Sequence, residues 1–139
     1  MTTPTNKDAA SVFFAFTRVI KSAIQASSTA TCSFLQMKTL SYVKEQGEPT
    51  MGDIAYELRA SSPAVTAIID KLVETNDLER ITDLNDRRII KLRLTKSGKE
   101  TLDKSMKAVH KNIQNKLSVL SDSEQKDLIN ILQKLIINQ

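Results

Sequence analysis

A chain of 139 residues has the size of one domain, or of one domain with helical extensions used for assembly. Apolar residues at 40% are enough for a core, charged residues at 26% are ordinary for a water-facing surface, and the net charge of +4 mildly favours an anionic partner. A single cysteine excludes an internal disulfide and makes a reducing cytosol the default, while no apolar run approaches a membrane span and "MTTPTNKDAA" lacks the pattern of a secretory signal.

Glycine and proline are sparse, three of each, so the chain reads as mostly helix. From Asp8 to about Ser27, the spacing of Val12, Phe13, Phe16, Val19, Ile20, Ala23 and Ile24 predicts a helix with a broad apolar face. "SSTAT" breaks it. Ser33 begins a second helix, with Gln36 as capping-box partner, Leu35, Leu40 and Val43 as apolar positions, and Gly47 as its end.

"TMGDIAYELRA" predicts a short helix capped by Thr50 and Asp53 and buried through Ile54, Ala55 and Leu58, with a tight turn at Arg59-Ala60. In "SSPAVTAIIDKLVETN", Ser61 or Ser62 caps, Pro63 sits in the first turn, and Asn76 closes the end in a left-handed conformation. Val65, Ile68, Ile69 and Leu72 point inward. Two short helices around a tight turn make a helix-turn-helix pattern.

Leu78 to Thr82 and Ile89 to Leu94 predict a hairpin joined by "DLNDRR". In the second strand Ile90, Leu92 and Leu94 share one face and Lys91 and Arg93 the other. From Thr95 to Leu120 a long helix carries a narrow seam of Leu102, Met106, Val109, Ile113, Leu117 and Leu120, suited to packing on another helix. A capping box at Ser121 and Glu124 starts a last helix through Leu128, Ile131, Leu132, Leu135 and Ile136. The fold class is therefore mainly α with a small β-hairpin. The outer helices carry more apolar surface than so small a domain covers, and a partner subunit is the economical explanation.

At this element order the sequence resembles the multiple antibiotic resistance regulator (MarR) family of winged helix-turn-helix transcription regulators. "SSPAVTAIIDKLVE" matches the family's recognition helix, with Thr66 and Asp70-Lys71-Leu72 in register. "DRRIIKLRLTKSG" matches its wing signature through Asp86, Arg88, Leu94, Thr95 and Gly98. The resemblance implies one chain over 1–139, with a winged helix-turn-helix over 48–98 and helical dimerisation regions at 8–32 and 99–139. It implies a cytoplasmic homodimer on double-stranded DNA, with a near-palindromic operator whose half-sites lie about one helical turn apart. The helix beginning at Ser61 would lie in the major groove. The loop from Asp83 to Arg88 would reach the minor groove, where Arg88 enters and Asp86 orients it; a narrow groove concentrates negative potential and favours a guanidinium. Repression, released by a small lipophilic or aromatic effector, belongs to the same expectation.

The candidate DNA-binding residues are Thr50, Arg59, Ser61, Ser62, Ala64, Thr66, Ala67, Lys71, Asp86, Arg87 and Arg88. Between Leu78 and Lys99 there are seven basic residues (Arg80, Arg87, Arg88, Lys91, Arg93, Lys96, Lys99) against three acids (Glu79, Asp83, Asp86). Alone, such a run reads as a solvated hairpin; behind a helix-turn-helix it reads as a phosphate-contacting one. The recognition helix has no Arg or Lys before Lys71, where family members often carry a basic side chain near Ala67. Bidentate arginine-to-guanine readout is thus missing from its exposed half, which points to A·T-rich sites and DNA shape. Glu48 to Asp77 is acidic, six acids against Arg59 and Lys71.

Other candidates weigh less. Cys32 is read as inert, since peroxide-sensing relatives place their cysteine near the position of Phe13; its nearness to a helix N-terminus keeps a redox-sensing regulator as an alternative. His110 lies off the apolar seam and reads as a surface residue. One histidine and one cysteine are too few for a zinc site. Met37, Tyr42, Phe13, Phe16 and Met106 are of the kind that lines an effector cavity, yet read as plain core. No glycine-rich phosphate loop, nucleophile elbow or His-based dyad points to an enzyme, and no cofactor is expected. A protein-binding winged-helix module is the remaining alternative.

Overall fold

The computed structural model describes residues 6–27 and 32–138. The reading of the first ten residues as free of a secretory signal falls partly outside these, and the break at "SSTAT" falls outside them from Ser28 to Thr31. The helices are α1 (Asn6–Ala26), α2 (Phe34–Gln46), α3 (Met51–Leu58) and α4 (Ser62–Glu74). A hairpin of β1 (Leu78–Thr82) and β2 (Ile90–Leu94) follows, then α5 (Lys96–Leu117) and α6 (Asp122–Ile137). The mainly helical fold class with one hairpin is as the periodicity predicts.

Local chemistry sets the helix starts. α2, α3 and α6 each begin with a full capping box, Ser33 with Gln36, Thr50 with Asp53 and Ser121 with Glu124. Each box satisfies two backbone donors that a helix start leaves orphaned. At α4, Ser61 holds the cap position, but its side chain makes no capping bond. Thr95 does the work for α5, its hydroxyl accepting the Gly98 amide at 2.9 Å.

The ends of α3 and α4 share one device. Arg59 (φ 50°) and Asn76 (φ 62°) are the non-glycine residues with left-handed backbone among those described. Around Arg59, the Arg59 amide donates to Tyr56 O at 3.2 Å and the Ala60 amide to Ala55 O at 3.1 Å. Around Asn76, the Asn76 amide donates to Val73 O at 3.0 Å and the Asp77 amide to Leu72 O at 2.8 Å. Both are Schellman closures, which use up the last carbonyls of a helix and turn the chain sharply.

The chain forms two compact units, one of Ser27–Ala108 and one of Met1–Ala26 with Val109–Gln139. The core of the first is Leu40, Val43, Ile54, Val65, Ile69, Leu72, Leu78, Leu92 and Leu102, each at most 2% exposed. Each such burial contributes roughly 1.5–3 kcal/mol. β1 and β2 pair antiparallel in the register Leu78↔Leu94, Arg80↔Leu92 and Thr82↔Ile90, which turns Leu78 and Leu92 inward. The segment before α3 adds a short third edge, through a bridge between Thr50 and Lys91 and a bond from the Leu92 amide to Pro49 O at 2.9 Å.

In the other unit, α1 and α6 leave much apolar surface uncovered within one chain: Val12, Phe13, Phe14 and Val19 on α1, and Ile129, Ile131, Leu135 and Ile136 on α6, are exposed. The Asn112 side chain donates to Ala23 O at 3.4 Å, tying α5 to α1.

Three expectations are corrected. β2 begins at Ile90, because the Ile89 amide turns back to Asp86 O at 3.0 Å. α5 ends at Leu117 rather than Leu120, as Ser118 bonds back to Asn115 O and the Leu120 amide to Leu117 O. On α2, Leu35 is exposed and Thr39 is buried in its stead, its hydroxyl satisfied by Leu35 O at 2.7 Å.

Candidate nucleic-acid interface

α3, the Arg59 turn and α4 build the helix-turn-helix. α4 is amphipathic: Val65, Ile69 and Leu72 anchor it, while Ser61, Ser62, Ala64, Thr66 and Ala67 form an exposed strip of small side chains. That strip begins at the N-terminal end of α4, beside the start of α3, where Met51, Gly52, Ser62, Val65 and Thr66 line a narrow cleft of about 100 Å³. The Thr66 hydroxyl donates to Ser62 O at 2.9 Å and so presents lone pairs outward, as an acceptor.

Several acids of this region are occupied. Asp70 pairs with Arg80 of β1, and Glu74 with Lys71 at 3.3 Å. Thr50 and Asp53 are committed to their cap, whose amide and hydroxyl bonds hold the Asp53 carboxyl below the ordinary range. Lys71 is therefore an exposed cation already partnered within its own helix. Arg59 is exposed and carries no ion pair among the described residues.

The loop between the strands is held by several hydrogen bonds and ion pairs. Asp83 Oδ1 accepts the amides of Asn85 at 2.9 Å and Asp86 at 3.1 Å, and Oδ2 meets Lys91 Nζ at 2.8 Å. The lysine bond first, and the two amides after it, hold the Asp83 carboxyl at about 2. Asp86 in turn accepts the Arg88 amide at 3.0 Å, and its two oxygens grip the Arg88 guanidinium at 3.1 Å each. That grip lowers the Asp86 carboxyl and aims an Arg88 side chain that is 90% exposed. Bidentate pairing of this kind fixes orientation as well as charge.

The hairpin is less free a cation than its composition implies. Four of its seven basic residues, Arg80, Arg88, Lys91 and Arg93, are held by carboxylates. Two of those carboxylates come from outside the hairpin: Asp70 on α4, and Glu48, which takes Arg93 Nε at 3.0 Å. Glu79 adds a cross-strand contact to Arg93 at 3.3 Å. Arg87, Lys96 and Lys99 have no such partner among the described residues. All the candidate residues lie in the one unit. Arg59, Ser61, Ser62, Ala64, Thr66, Ala67, Lys71, Arg87 and Arg88 are exposed, and Thr50 and Asp86 are partly covered.

Sequence reasoning missed Asp77. It is 3% exposed and lies at the junction of α4, β1 and α5. Its carboxylate accepts hydroxyls from Thr75 at 2.8 Å, Ser97 at 3.0 Å and Thr101 at 2.9 Å. Its carbonyl receives the Thr95 amide at 3.2 Å, and a Cβ on Gly98 would stand 2.0 Å from that oxygen. This contact is the physical content of the Thr-x-x-Gly that ends the wing signature.

The lesser candidates are dispersed. Cys32 is 3% exposed, and its thiol faces Ser33 O at 3.7 Å, which denies it the access a reactive cysteine requires. His110 is on the surface of α5. Phe13 and Phe16 line an apolar groove of about 360 Å³ with Asp8, Ala9 and Val12 in one unit; Met37, Tyr42 and Met106 belong to the other, and Phe13 and Met106 are exposed rather than the core residues expected. Among the described residues, no cluster of three or more metal-ligating side chains converges, and no helix is long and apolar enough to cross a membrane.

Residues 33–90 match the model of the MarR family. An HTH-type transcriptional regulator of Bacillus subtilis, YpoP, is 30% identical over 96 residues, covering 69% of this chain and 68% of the relative. The HTH-type transcriptional repressor MdtR of the same organism is 28% identical over 100 residues, covering 72% of this chain and 64% of the relative. The fold is similar to that of apo MarR from E. coli, with a TM-score of 0.80 at 20% identity over 91% of this chain and 94% of that one. It is similar also to a mutant of MepR from S. aureus bound to an oligodeoxyribonucleotide, with a TM-score of 0.70 at 22% identity over 94% and 96% of the two chains.

Proposed function

Because the chain belongs to the MarR family of transcription regulators, we propose that it acts in the cytoplasm as a homodimeric, sequence-specific repressor. In this reading α4 lies in the major groove and the loop from Asp83 to Arg88 in the neighbouring minor groove of a near-palindromic operator. Residues 48–98 read DNA, and 8–32 with 99–139 hold the dimer. The observation that carries the reading is the Asp86–Arg88 pair, which presents an exposed guanidinium on a fixed loop beside a helix-turn-helix. The exposed apolar residues of α1 and α6 support the dimer, and the oligodeoxyribonucleotide on MepR supports the ligand. A small lipophilic or aromatic effector that releases the DNA completes the proposal, with no site assigned to it.

The test is selection of bound fragments from a genomic library, followed by titration of a selected duplex at several salt concentrations. Binding should fall by about 0.9 log unit per log unit of salt for each phosphate neutralised. Salt-independent or absent duplex binding would exclude the reading. A protein-binding module is the second reading, favoured by an α4 strip without Arg or Lys and a wing in which four of seven cations are already held by carboxylates. A stable protein complex without any duplex binding would establish it.

A further inference from the structure

Leu84 is the second residue of the wing loop and is 100% exposed, with no part of its side chain covered by the protein. Single exposed leucines are common on protein surfaces. This one differs in what surrounds it. The backbone on both sides is fixed: Asp83 donates its amide to Ile89 O at 3.0 Å and accepts the Asn85 and Asp86 amides. Lys91 anchors Asp83 from β2 at 2.8 Å. An isobutyl group is thus held out in water near the start of a preorganised loop, on which Arg87 and Arg88 are also exposed.

We propose that Leu84 is a non-electrostatic anchor for DNA: carried in beside Arg88, it packs against the deoxyribose walls of the minor groove. The inference rests on the wing placement proposed above and adds to it a contact of different physics. The minor groove is about 6 Å wide, and its walls are the C–H faces of sugars. Leucine is among the side chains that proteins insert into this groove. The wing arginines select a polyanion as the partner, and the hydrogen-bonded loop removes most of the ordering cost of inserting this side chain. An apolar side chain on a hydrogen-bonded loop that also carries two exposed arginines stays uncovered until such a groove closes around it.

The two contributions separate by salt. A phosphate or groove contact by arginine releases counterions; a contact between leucine and sugar releases none. One fluorescent duplex, selected from a random pool by the native protein, is titrated with native protein, Leu84→Ala, Leu84→Met and Arg88→Ala over a range of salt. Leu84→Ala is expected to bind about fivefold to thirtyfold more weakly at every salt, with the native slope. Leu84→Met, which keeps the apolar reach, stays within about twofold of native. Arg88→Ala reduces the slope. An affinity of Leu84→Ala within twofold of native, a reduced slope in that variant, or an equal loss in Leu84→Met overturns the inference. Native protein that binds no duplex overturns the parent reading as well; native binding with an indifferent Leu84→Ala overturns this one alone. Since Leu84 touches nothing, its variants should melt as the native protein does.

Discussion

Asp86 holds Arg88 three times, through its amide at 3.0 Å and through two guanidinium nitrogens at 3.1 Å. The arginine therefore meets a partner with its rotamers already restricted. Arg88→Ala should weaken duplex binding by about tenfold to a hundredfold and lower the salt slope by about one. Asp86→Ala leaves the cation in place but lets it roam, so its loss should be smaller, about threefold to tenfold, with the slope kept. Equal affinities for native protein and Arg88→Ala would remove the wing from the interface.

The wing should be insensitive to pH over a wide window. The Asp83 carboxyl is held at about 2, below its ordinary 3.8, so its contribution is complete above 3.8 and lost as pH falls through the lower value. Its partner Lys91 is shifted up from 10.5, so that side of the pair is complete below 10.5 and fails only above it. Amide exchange at Asn85 and Asp86, followed with pH, should show constant protection between these limits and a collapse on the acid side. Titration of that protection near neutral pH would contradict the assignment.

Gly98 lies where no side chain fits, a Cβ there standing 2.0 Å from the Asp77 carbonyl oxygen. Backbone cannot yield as a flexible side chain does, so Gly98→Ala should cost at least about 2–3 kcal/mol. Asp77→Ala would strand three hydroxyls around an emptied site, at about 2–4 kcal/mol. Denaturant midpoints of the two variants measure both. Asp77→Asn keeps the size but not the charge, and should fall between native protein and Asp77→Ala.

Arg59 occupies a left-handed position that glycine would fill more cheaply. Arg59→Gly should leave stability unchanged or raise it by up to about 1 kcal/mol. If its guanidinium meets phosphate, the same variant should lose about threefold to tenfold in duplex affinity and part of the salt slope. A thermal melt paired with a titration decides; unchanged affinity would reduce Arg59 to a turn residue.

What the sequence made legible were features whose causes are local. The boxes at Ser33, Thr50 and Ser121 lie within four residues, and the Asn76 closure is set by one residue's tolerance of positive φ. The alternation of Ile90, Leu92 and Leu94 predicted the inward face of β2, and the resemblance supplied the Asp86–Arg88 pair. What stayed hidden depends on distant segments meeting. Glu48 lies 45 residues from Arg93, and nothing near either marks them as partners. Asp77 counted only as one more acid until Ser97 and Thr101 were folded against it. Leu35 and Thr39 exchanged roles because a hydroxyl bonded within its own helix buries well, which apolar periodicity cannot register. The seam through Leu120 kept its period across a break made by Ser118.

The partly neutralised hairpin bears on how such a protein would be distributed in a cell. Any regulator shares its volume with a vast excess of irrelevant duplex, all of it offering the same phosphates. Holding Arg80, Lys91 and Arg93 on internal carboxylates lowers the attraction to that background, because each carboxylate offsets part of the pull that its cation exerts on phosphates. A short operator can then be occupied by a protein of modest intrinsic affinity, since few molecules are sequestered elsewhere. Replacing Glu48 or Asp70 with neutral residues would raise total DNA binding and lower the fraction of it that is useful.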